Sequence, residues 1–429
     1  MSTLAEYKSL PYWWDETPPI SVEQNEFQKN AEIVIVGCGY TGLGAAIPLL
    51  RAKKKVVILE KDLIGECAST RNGGITSGNI RLPFSKLKKK FGEKKALEYF
   101  AESIAARKDL YNFIINENID CDFKLTGRFL GVPTKNSSET LKNDADYFFR
   151  KLNLKFNVIK GSEIRDYVDT TKYEVGIFRE DIGGIHPGKL LHGMMKIAKN
   201  LGACIYSNTV AKNIQQKDKQ FEITTSKGKI TAEHVIVATN AYTGSEFHWL
   251  KRRLVPVISE MISTEDLGDN LVKHLMPKSS MYGESLQLGY YYRPSPDGRR
   301  ILLGGRRLSN NPLKATERLR NGLNEIFPQL DKVKISNHWS GYVAFPFDQL
   351  PKLAVNDGVI YPVGFCGSGT VWARWLGQKA AGMILGKDSE TVFSDEPFKT
   401  IPFYNGTPWF LPLAINYYRL RDKFFSTSK

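Results

Sequence analysis

The sequence is poor in the residues that build disulfide frameworks and metal centres. Its 429 residues include five cysteines, widely spaced and without a CxxC pair, and six histidines without ligand-like spacing. The cysteines are Cys38, Cys67, Cys121, Cys204 and Cys366, and the histidines are His186, His192, His234, His248, His274 and His338. We therefore expect neither a disulfide-stapled fold nor a bound metal. No Ser-His-Asp arrangement is indicated, so the histidines are expected to be structural.

Long apolar runs, tandem repeats and low-complexity linkers are also lacking. The one 20-residue stretch of membrane-like apolarity, residues 31–50, contains Glu32, four glycines and Pro48, which make it a poor spanning helix. The N-terminal residues show no basic region followed by an apolar core, so no secretory signal is predicted and we expect a cytoplasmic protein. Hydrophobic residues make up 42% and charged residues 24% of the chain, which is typical of a globular protein.

Acidic residues are in deficit. Sixty Lys and Arg against forty-five Asp and Glu give a net charge of +15. The lysines at 86, 88, 89, 90, 94 and 95 cluster on one predicted helix. A solvated helix face is the commoner outcome of such a run, and no nucleic-acid partner is expected. A tRNA-associated protein stays open as an alternative, since this charge suits phosphate.

A glycine-rich turn follows the first buried strand. Residues 33–36 form a continuous β-branched run, and the GxGxxG motif comes directly after them, before a predicted helix. The motif consists of Gly37, Gly39 and Gly42, with Tyr40 and Thr41 between the last two. Such glycines allow a tight turn and a close approach of the backbone to a pyrophosphate, which the helix N-terminus then faces.

An acidic residue stands where such a motif requires one. The second predicted strand, residues 56–59, is followed by Glu60 and Lys61, eighteen and nineteen residues after Gly42. A carboxylate in this place accepts hydrogen bonds from the ribose hydroxyls of an adenosine. The two features together predict an adenine dinucleotide site.

A second small-residue segment follows almost at once. It contains Ser69, Thr70, Arg71, Asn72, Gly73 and Gly74, and its small residues let a second backbone stretch lie along a flat, extended cofactor. Here the sequence resembles the FAD-dependent oxidoreductases of the D-amino-acid oxidase superfamily, closest to the gamma-glutamylputrescine oxidase branch. The resemblance implies FAD as the cofactor.

The resemblance extends over residues 12–422. It implies further cofactor contacts at Val210, Thr239, Asn240, Ala241, Gly341, Gly364, Phe365, Gly367, Ser368, Gly369 and Thr370. Residues 364–369 are also a glycine-rich turn between a predicted strand and a predicted helix. Its amides and the helix dipole favour an electron-rich group, which in flavin chemistry is the N1/C2 edge of the ring.

The predicted fold class is α/β. It comprises an FAD-binding, Rossmann-type nucleotide domain of the glutathione-reductase kind, with an inserted α+β substrate domain built on a mixed sheet. The predicted divisions are an N-terminal arm (1–30), a discontinuous FAD-binding domain (31–83, 153–254 and 336–390), a substrate domain (84–152 and 255–335) and a C-terminal tail (391–429).

The chain departs from the family at several positions. Ser368 stands where a histidine is usual, and Trp372, Arg374 and Trp375 replace smaller or apolar residues, while Glu260 falls where an aromatic is common. These differences leave the shape of the substrate pocket open. Cys67 and Cys366 lie near the expected cofactor but outside the segment that carries covalent flavin in the sarcosine oxidase relatives, so FAD is expected to bind noncovalently.

The resemblance implies oxidation of a primary or secondary amine or an amino acid to an imine, which then hydrolyses. Flavin chemistry of this kind needs a neutral amine with its α-hydrogen about 3.5 Å from the flavin N5 atom, and no protein nucleophile. Strand alternation and the bidentate grip of arginine on carboxylate predict Tyr292 and Arg293 as substrate contacts, with Tyr290 as an alternate. Trp249 and Tyr342 are candidate aromatic walls.

The electron acceptor stays open between oxygen and another carrier. An amino-acid dehydrogenase coupled to a membrane or a carrier is the alternative, because residues 408–419 form an apolar tail with a basic end. A peripheral membrane contact through this tail belongs to that alternative. A flavin-binding interaction protein without activity is a further one.

Overall fold

Two β-sheets, each with helices packed on it, carry the fold. The computed structural model describes residues 7–22, 26–132, 138–309 and 311–427. The predicted N-terminal arm therefore lies partly outside the described residues, at 1–6 and 23–25. The helices are α1 (Tyr40–Arg51), α2 (Phe84–Asn116), α3 (Ser138–Leu152), α4 (Pro187–Asn200), α5 (His248–Lys251), α6 (Asp269–Leu275), α7 (Pro312–Ile326), α8 (Gly369–Leu385) and α9 (Leu411–Thr427).

The strands alternate with these helices along the chain. They are β1 (Asn30–Val36), β2 (Val56–Leu59), β3 (Arg128–Val132), β4 (Asn157–Lys160), β5 (Val175–Arg179), β6 (Cys204–Tyr206), β7 (Ala211–Lys217), β8 (Gln220–Thr225), β9 (Lys229–Val237), β10 (Val255–Thr264), β11 (Met281–Glu284), β12 (Tyr291–Pro294), β13 (Ile301–Arg306), β14 (Ile335–Phe345), β15 (Lys352–Asn356) and β16 (Val359–Val363).

The first sheet has a parallel centre in the order β16-β9-β1-β2-β6. β15 extends its edge antiparallel to β16, and the hairpin β7–β8 pairs with β9. Val34 on β1 lies between Val57 on β2 and Val235 on β9, and all three are buried. Strands covered on both faces favour such β-branched runs, and the predicted βαβ unit is confirmed.

Two helices cross closely on one face of this sheet. A Cβ at Gly44 of α1 would lie 2.8 Å from the Arg374 carbonyl oxygen of α8, and one at Gly377 would lie 3.0 Å from the Ala45 nitrogen. Glycines at the crossing therefore let the two backbones touch. Because α1 and α8 both begin at the carboxyl ends of parallel strands, their N-termini lie at the same edge of the sheet.

The second sheet is mixed, in the order β14-β10-β13-β12-β11-β3-β5-β4, and only the β11–β3 pair is parallel among the described strands. One face packs on an aromatic core that contains Phe129, Tyr282 and Tyr292 together with residues of α7. The other face turns toward the carboxyl edge of the first sheet. The predicted α/β fold with an inserted mixed-sheet domain is confirmed.

The sheet pairing differs from the predicted domain boundaries. β4 and β5 pair with β3 in the second sheet, although residues 153–254 were assigned to the nucleotide domain. β14 likewise pairs with β10, although residues 336–390 were assigned there. α2, assigned to the substrate domain, packs Tyr99 and Leu110 into the core below α1 and α8. Within the described residues, none of the helices combines the length and the apolarity needed to cross a bilayer.

Candidate active site

The turn between β1 and α1 presents bare backbone to a cleft. Gly39 is the N-cap of α1, and it has no side chain to cap the first turn of this helix. Ser69 approaches instead, and its Oγ accepts a hydrogen bond from the Tyr40 amide at 3.1 Å. A Cβ at Gly39 would lie 2.8 Å from that Oγ, and one at Gly42 would collide with the Gly37 carbonyl oxygen. The glycines therefore keep the turn narrow and its amides accessible to an anion.

Glu60 fixes the next side of this cleft. Its carboxylate accepts hydrogen bonds from the amide of Cys38 at 2.8 Å and, more weakly, from the amide of Asp62 at 3.3 Å. The side chain is buried, and this burial raises the pKa of Glu60. The acidic residue thus holds the glycine turn in place and keeps acceptor capacity for hydroxyl groups in the cleft.

The segment 69–74 is held from the N-terminal arm. Trp13 donates from its indole nitrogen to the Asn72 carbonyl oxygen, and Trp14 donates to Thr70 Oγ1, both at 2.9 Å. The Arg71 guanidinium lies 4.5 Å from the Trp14 ring centroid, and its Nη1 donates to the Ser340 carbonyl oxygen. The two tryptophans of the arm therefore hold this segment in place.

The turn between β16 and α8 forms the opposite wall. Ser368 is the N-cap of α8 and makes no capping hydrogen bond, so this helix N-terminus also presents free amides. Cys366 and Gly367 both have positive φ angles, 52° and 92°. The Gly364 amide donates to Asn240 Oδ1 at 2.8 Å, which ties this turn to the end of β9. Two helix N-termini whose N-cap residues make no capping hydrogen bond thus flank one space.

That space is an open cleft of about 1120 Å³, which we call the first cleft. Most of the predicted cofactor residues line it: Gly37, Gly39, Tyr40, Thr41, Glu60, Lys61, Ser69, Asn72, Val210, Thr239, Asn240, Phe365, Gly367, Gly369 and Thr370. Residues that the sequence did not single out line it as well, among them Thr209, Glu246 and Phe247. An elongated cleft with two sets of free helix amides and a carboxylate fits FAD.

A second cleft, of about 1310 Å³, opens from the first. The two share Ala68, Asn72, Tyr342, Val343, Cys366, Gly367 and Thr370, so they are continuous at the α8 turn. Of the remaining predicted residues, the second cleft is lined by Arg71, Gly73, Tyr290, Gly341 and Ser368. Tyr342, a predicted aromatic wall, faces both clefts.

Five predicted cofactor residues line neither cleft: Gly42, Thr70, Gly74, Ala241 and Gly364. Their residue types suit contacts or backbone conformations within the loops. Thr70 Oγ1 donates to the Gly65 carbonyl oxygen, and Gly74 has a φ of 66° that suits glycine. These two residues support the conformation of the loops without lining a cleft.

Two of the predicted substrate contacts lie away from the cleft. Tyr292 is fully buried on the opposite face of β12, where its ring stacks on Tyr282 at 5.1 Å. Arg293 shares the cleft face but lies beneath residues 73–74, donating to the carbonyl oxygens of Ile185 at 2.7 Å and Gly74 at 3.1 Å. The alternation sends Tyr292 to the core face, and the neighbouring Tyr291 lines the cleft together with the predicted alternate, Tyr290.

The second cleft is also lined by charged residues that the sequence did not predict as site residues. Arg81, Arg128 and Arg306 line it, together with Glu284. In the sequence, the Gly304-Gly305 pair directly before Arg306 is the feature that marks this position. Arg128 and Arg81 stand in segments without any motif.

The unusual residues of α8 are structural. The Trp372 indole donates to the Asn79 carbonyl oxygen, Arg374 pairs with Asp109, and Trp375 donates to Glu102. None of the three lines the second cleft, although Asn79, which accepts from Trp372, does.

Glu260 and Trp249 also lie outside the second cleft. Glu260 is buried and bound to Arg307 at 2.7 Å, and Trp249 packs on Tyr361. Of the departures from the family, only Ser368 borders the second cleft.

Comparisons with known proteins agree with this geometry. The family model "FAD dependent oxidoreductase" (DAO) matches residues 32–383. The chain is 29% identical to gamma-glutamylputrescine oxidoreductase of Escherichia coli, over 92% of this chain and 93% of that protein. It is also 29% identical to a probable oxidoreductase, OrdL, of Rhizobium meliloti, over 96% of this chain and 97% of that protein.

Solved structures show the same fold. Glycine oxidase from Geobacillus kaustophilus superposes with a TM-score of 0.72 at 19% identity, covering 87% of this chain and 99% of that one. L-amino acid deaminase from Proteus vulgaris gives the same score and identity over 91% and 99%. Since the family model spans most of the sequence, the chain belongs to the DAO family of FAD-dependent oxidoreductases.

Proposed function

We propose that this protein oxidises the C–N bond of an amine or amino acid that binds in the second cleft. The main support for this proposal is that the two clefts are continuous at Cys366, Gly367 and Thr370. The residues of the first cleft would hold FAD, and this shared turn would bring it beside a small molecule in the second cleft. Amines and amino acids are named in the relatives gamma-glutamylputrescine oxidoreductase and glycine oxidase.

Bound FAD supplies a two-electron acceptor at its ring system. In the overall reaction the carbon next to nitrogen loses a hydride and the nitrogen loses a proton, which gives an imine. Water then hydrolyses the imine to a carbonyl compound and releases ammonia or the smaller amine. The free amides at the start of α8 would favour negative charge on a group held beside them.

The protein's part in this reaction is to position the substrate. Arg306 lies beside the shared turn, 3.5 Å from where a Cβ of Gly367 would be. Its guanidinium is placed to bind a carboxylate of the substrate there. Burial raises the pKa of Tyr291, so its phenol stays neutral and hydrogen-bonds Ser259 Oγ at 3.0 Å. The proton that the substrate nitrogen loses passes to water in the open cleft.

Anaerobic mixing of the FAD-loaded protein with a panel of amines tests this proposal. The panel contains glutamylated polyamines, sarcosine, glycine, proline and D-amino acids, and the oxidised flavin absorption is recorded. We expect at least one member to bleach it. Matched hydroxy acids and glycerol phosphate serve as controls, because a glycerophosphate oxidase shares this fold with a TM-score of 0.67. Bleaching by these controls and by no amine would contradict the proposal.

The electron acceptor is tested in the same preparation. Release of hydrogen peroxide in air would indicate an oxidase. An exposed apolar face on α9 and just before it, with Trp409 62%, Leu413 70% and Tyr417 62% exposed, supports the alternative of a carrier-coupled dehydrogenase at a membrane surface. Under that alternative, turnover requires a quinone or dye and peroxide is absent.

A further inference from the structure

Arg128 and Arg306 of the second cleft have no anionic partner in the part of the chain that the structure describes. Other interior arginines have acceptors: Arg107 pairs with Asp181, and Arg293 donates to backbone carbonyl oxygens. Across residues 7–22, 26–132, 138–309 and 311–427, neither Arg128 nor Arg306 has a carboxylate within ion-pair distance or a side-chain hydrogen bond, and the Arg128 Nε is buried without an acceptor. A partly buried guanidinium without a partner is costly, so the cleft is organised for anions supplied from outside.

Both groups remain cationic at neutral pH. Burial lowers the pKa of Arg128 and of Arg306 to about 10, which is still well above 7. The nearby charge of Arg81 also lowers the pKa of Arg306, whereas Arg128 is influenced by Arg179 instead. Arg306 and Arg81 therefore form one positive region and Arg128 forms another.

The sheet register places these two regions at opposite corners of the cleft floor. Leu130, Gly283, Tyr291 and Gly304 form one row across β3, β11, β12 and β13. Arg128 stands two residues before this row and Arg306 two residues after it, so both side chains share the face of Tyr291. The Tyr291 ring packs over Gly304, between the two corners.

The separation of the two positive regions follows from strand geometry. The Arg128 guanidinium lies over Gly283, since its Nη2 would be 2.9 Å from a Cβ there. Gly283 on β11 and Arg306 on β13 are two strands and two residues apart in register. Standard strand spacings put these backbone positions about 12 Å from one another. Glycine at 283 leaves the room that the guanidinium fills.

We propose that the second cleft recognises a substrate with two anionic groups, one bound by Arg306 near the shared turn and the other by Arg128 at the far end. This proposal rests on the proposed function and names its substrate class: an amino or imino acid with a second carboxylate. The Tyr291 ring packs against the chain that joins the two carboxylates. The first carboxylate sits beside the reacting carbon, and the second selects for length.

Binding of simple diacids to the FAD-loaded protein tests this without any turnover. Glutarate, adipate, pimelate and suberate are titrated against their monoacid counterparts of equal chain length, and the shift of the flavin absorption bands is followed. Because a hydrogen-bonded charge contributes strongly when buried, we expect diacids to bind about ten- to hundredfold more tightly than monoacids. We also expect a preference for the longer diacids.

Three variants assign the two ends. Arg128→Gln is expected to weaken diacid binding at least tenfold and to leave monoacid binding within twofold. Arg306→Gln is expected to weaken both. Arg299→Gln is the matched control, because Arg299 is an exposed partner of Asp266 on the outer surface, and it should change neither. If Arg128→Gln fails to retain FAD, the comparison of diacids with monoacids on the unaltered protein decides.

Equal affinity for diacids and monoacids would overturn the proposal, as would equal losses for both ligands in Arg128→Gln. The proposed function fails separately. Diacids that bind as expected to a protein whose flavin no amine bleaches would contradict amine oxidation alone. Amines that bleach the flavin irrespective of a second carboxylate would contradict the two-anion site alone.

Discussion

Replacement of Glu60 by glutamine tests how the first cleft binds its cofactor. The substitution keeps the shape of the side chain and removes its charge. Glu60 accepts from the Cys38 amide at 2.8 Å, and it is expected to accept from the ribose hydroxyls of FAD. The glutamine amide offers one acceptor and one donor group in place of two acceptors, so one of these partners loses its hydrogen bond.

The magnitude follows from the burial of this residue, which is 9% exposed. A hydrogen bond to a charged group contributes about 1.5–3 kcal/mol, so loss of the ribose contact weakens FAD binding about 10- to 150-fold. Loss of the Cys38 contact would lower the free energy of unfolding of the FAD-free protein by about 1–3 kcal/mol instead. Quenching of FAD fluorescence on binding and urea unfolding measure the two effects separately.

The control is Glu222→Gln, which removes an acid from the surface hairpin where it pairs with two lysines. This variant should leave the affinity for FAD within twofold. The reasoning would be refuted if Glu60→Gln bound FAD as tightly as the unaltered protein and also unfolded at the same urea concentration.

Three further predictions concern the parts around the clefts. Gly377→Val should lower the free energy of unfolding by at least about 1–3 kcal/mol, because its side chain would enter the crossing of α1 and α8; chemical denaturation measures it, and an unchanged midpoint would contradict the close crossing. Tyr291→Phe should alter the rate of flavin bleaching by amines while Tyr292→Phe alters mainly the melting temperature, and the reverse pattern would contradict the strand register. Burial lowers the pKa of His186 to about 4, so the folded state binds fewer protons than the unfolded chain between about pH 6.5 and 4. Stability should therefore fall by up to about 3 kcal/mol as the pH drops through this range, and His186→Asn, which keeps a helix cap, should reduce that slope in acid titrations of the melting temperature.

The sequence predicts the first cleft well because its determinants are local. A β-branched run, a glycine turn and a helix start lie within Ile33–Leu43, and an acidic residue ends the next strand. Each of these features is explained by local backbone geometry, which the neighbouring residues in the sequence indicate. The predicted family, the FAD cofactor and the α/β fold are confirmed by the comparisons.

The second cleft could not be predicted in the same way. Three consecutive tyrosines, 290–292, give no alternation from which to tell the cleft face from the core face. Arg128 and Arg306 are far apart in sequence, and only the strand order β13-β12-β11-β3 brings them to one floor. β4 and β5 were misassigned for a related reason, since short strands do not indicate which sheet they join.

We expect glycine turns that are distant in the sequence to form one site for noncovalently bound FAD. Release of flavin by acid precipitation of the purified protein, followed by its identification and quantification, tests this. One FAD per chain is expected, recovered entirely in the supernatant. A colourless protein that takes up no FAD when it is supplied would rule out such a site, and flavin retained in the precipitate would contradict noncovalent attachment.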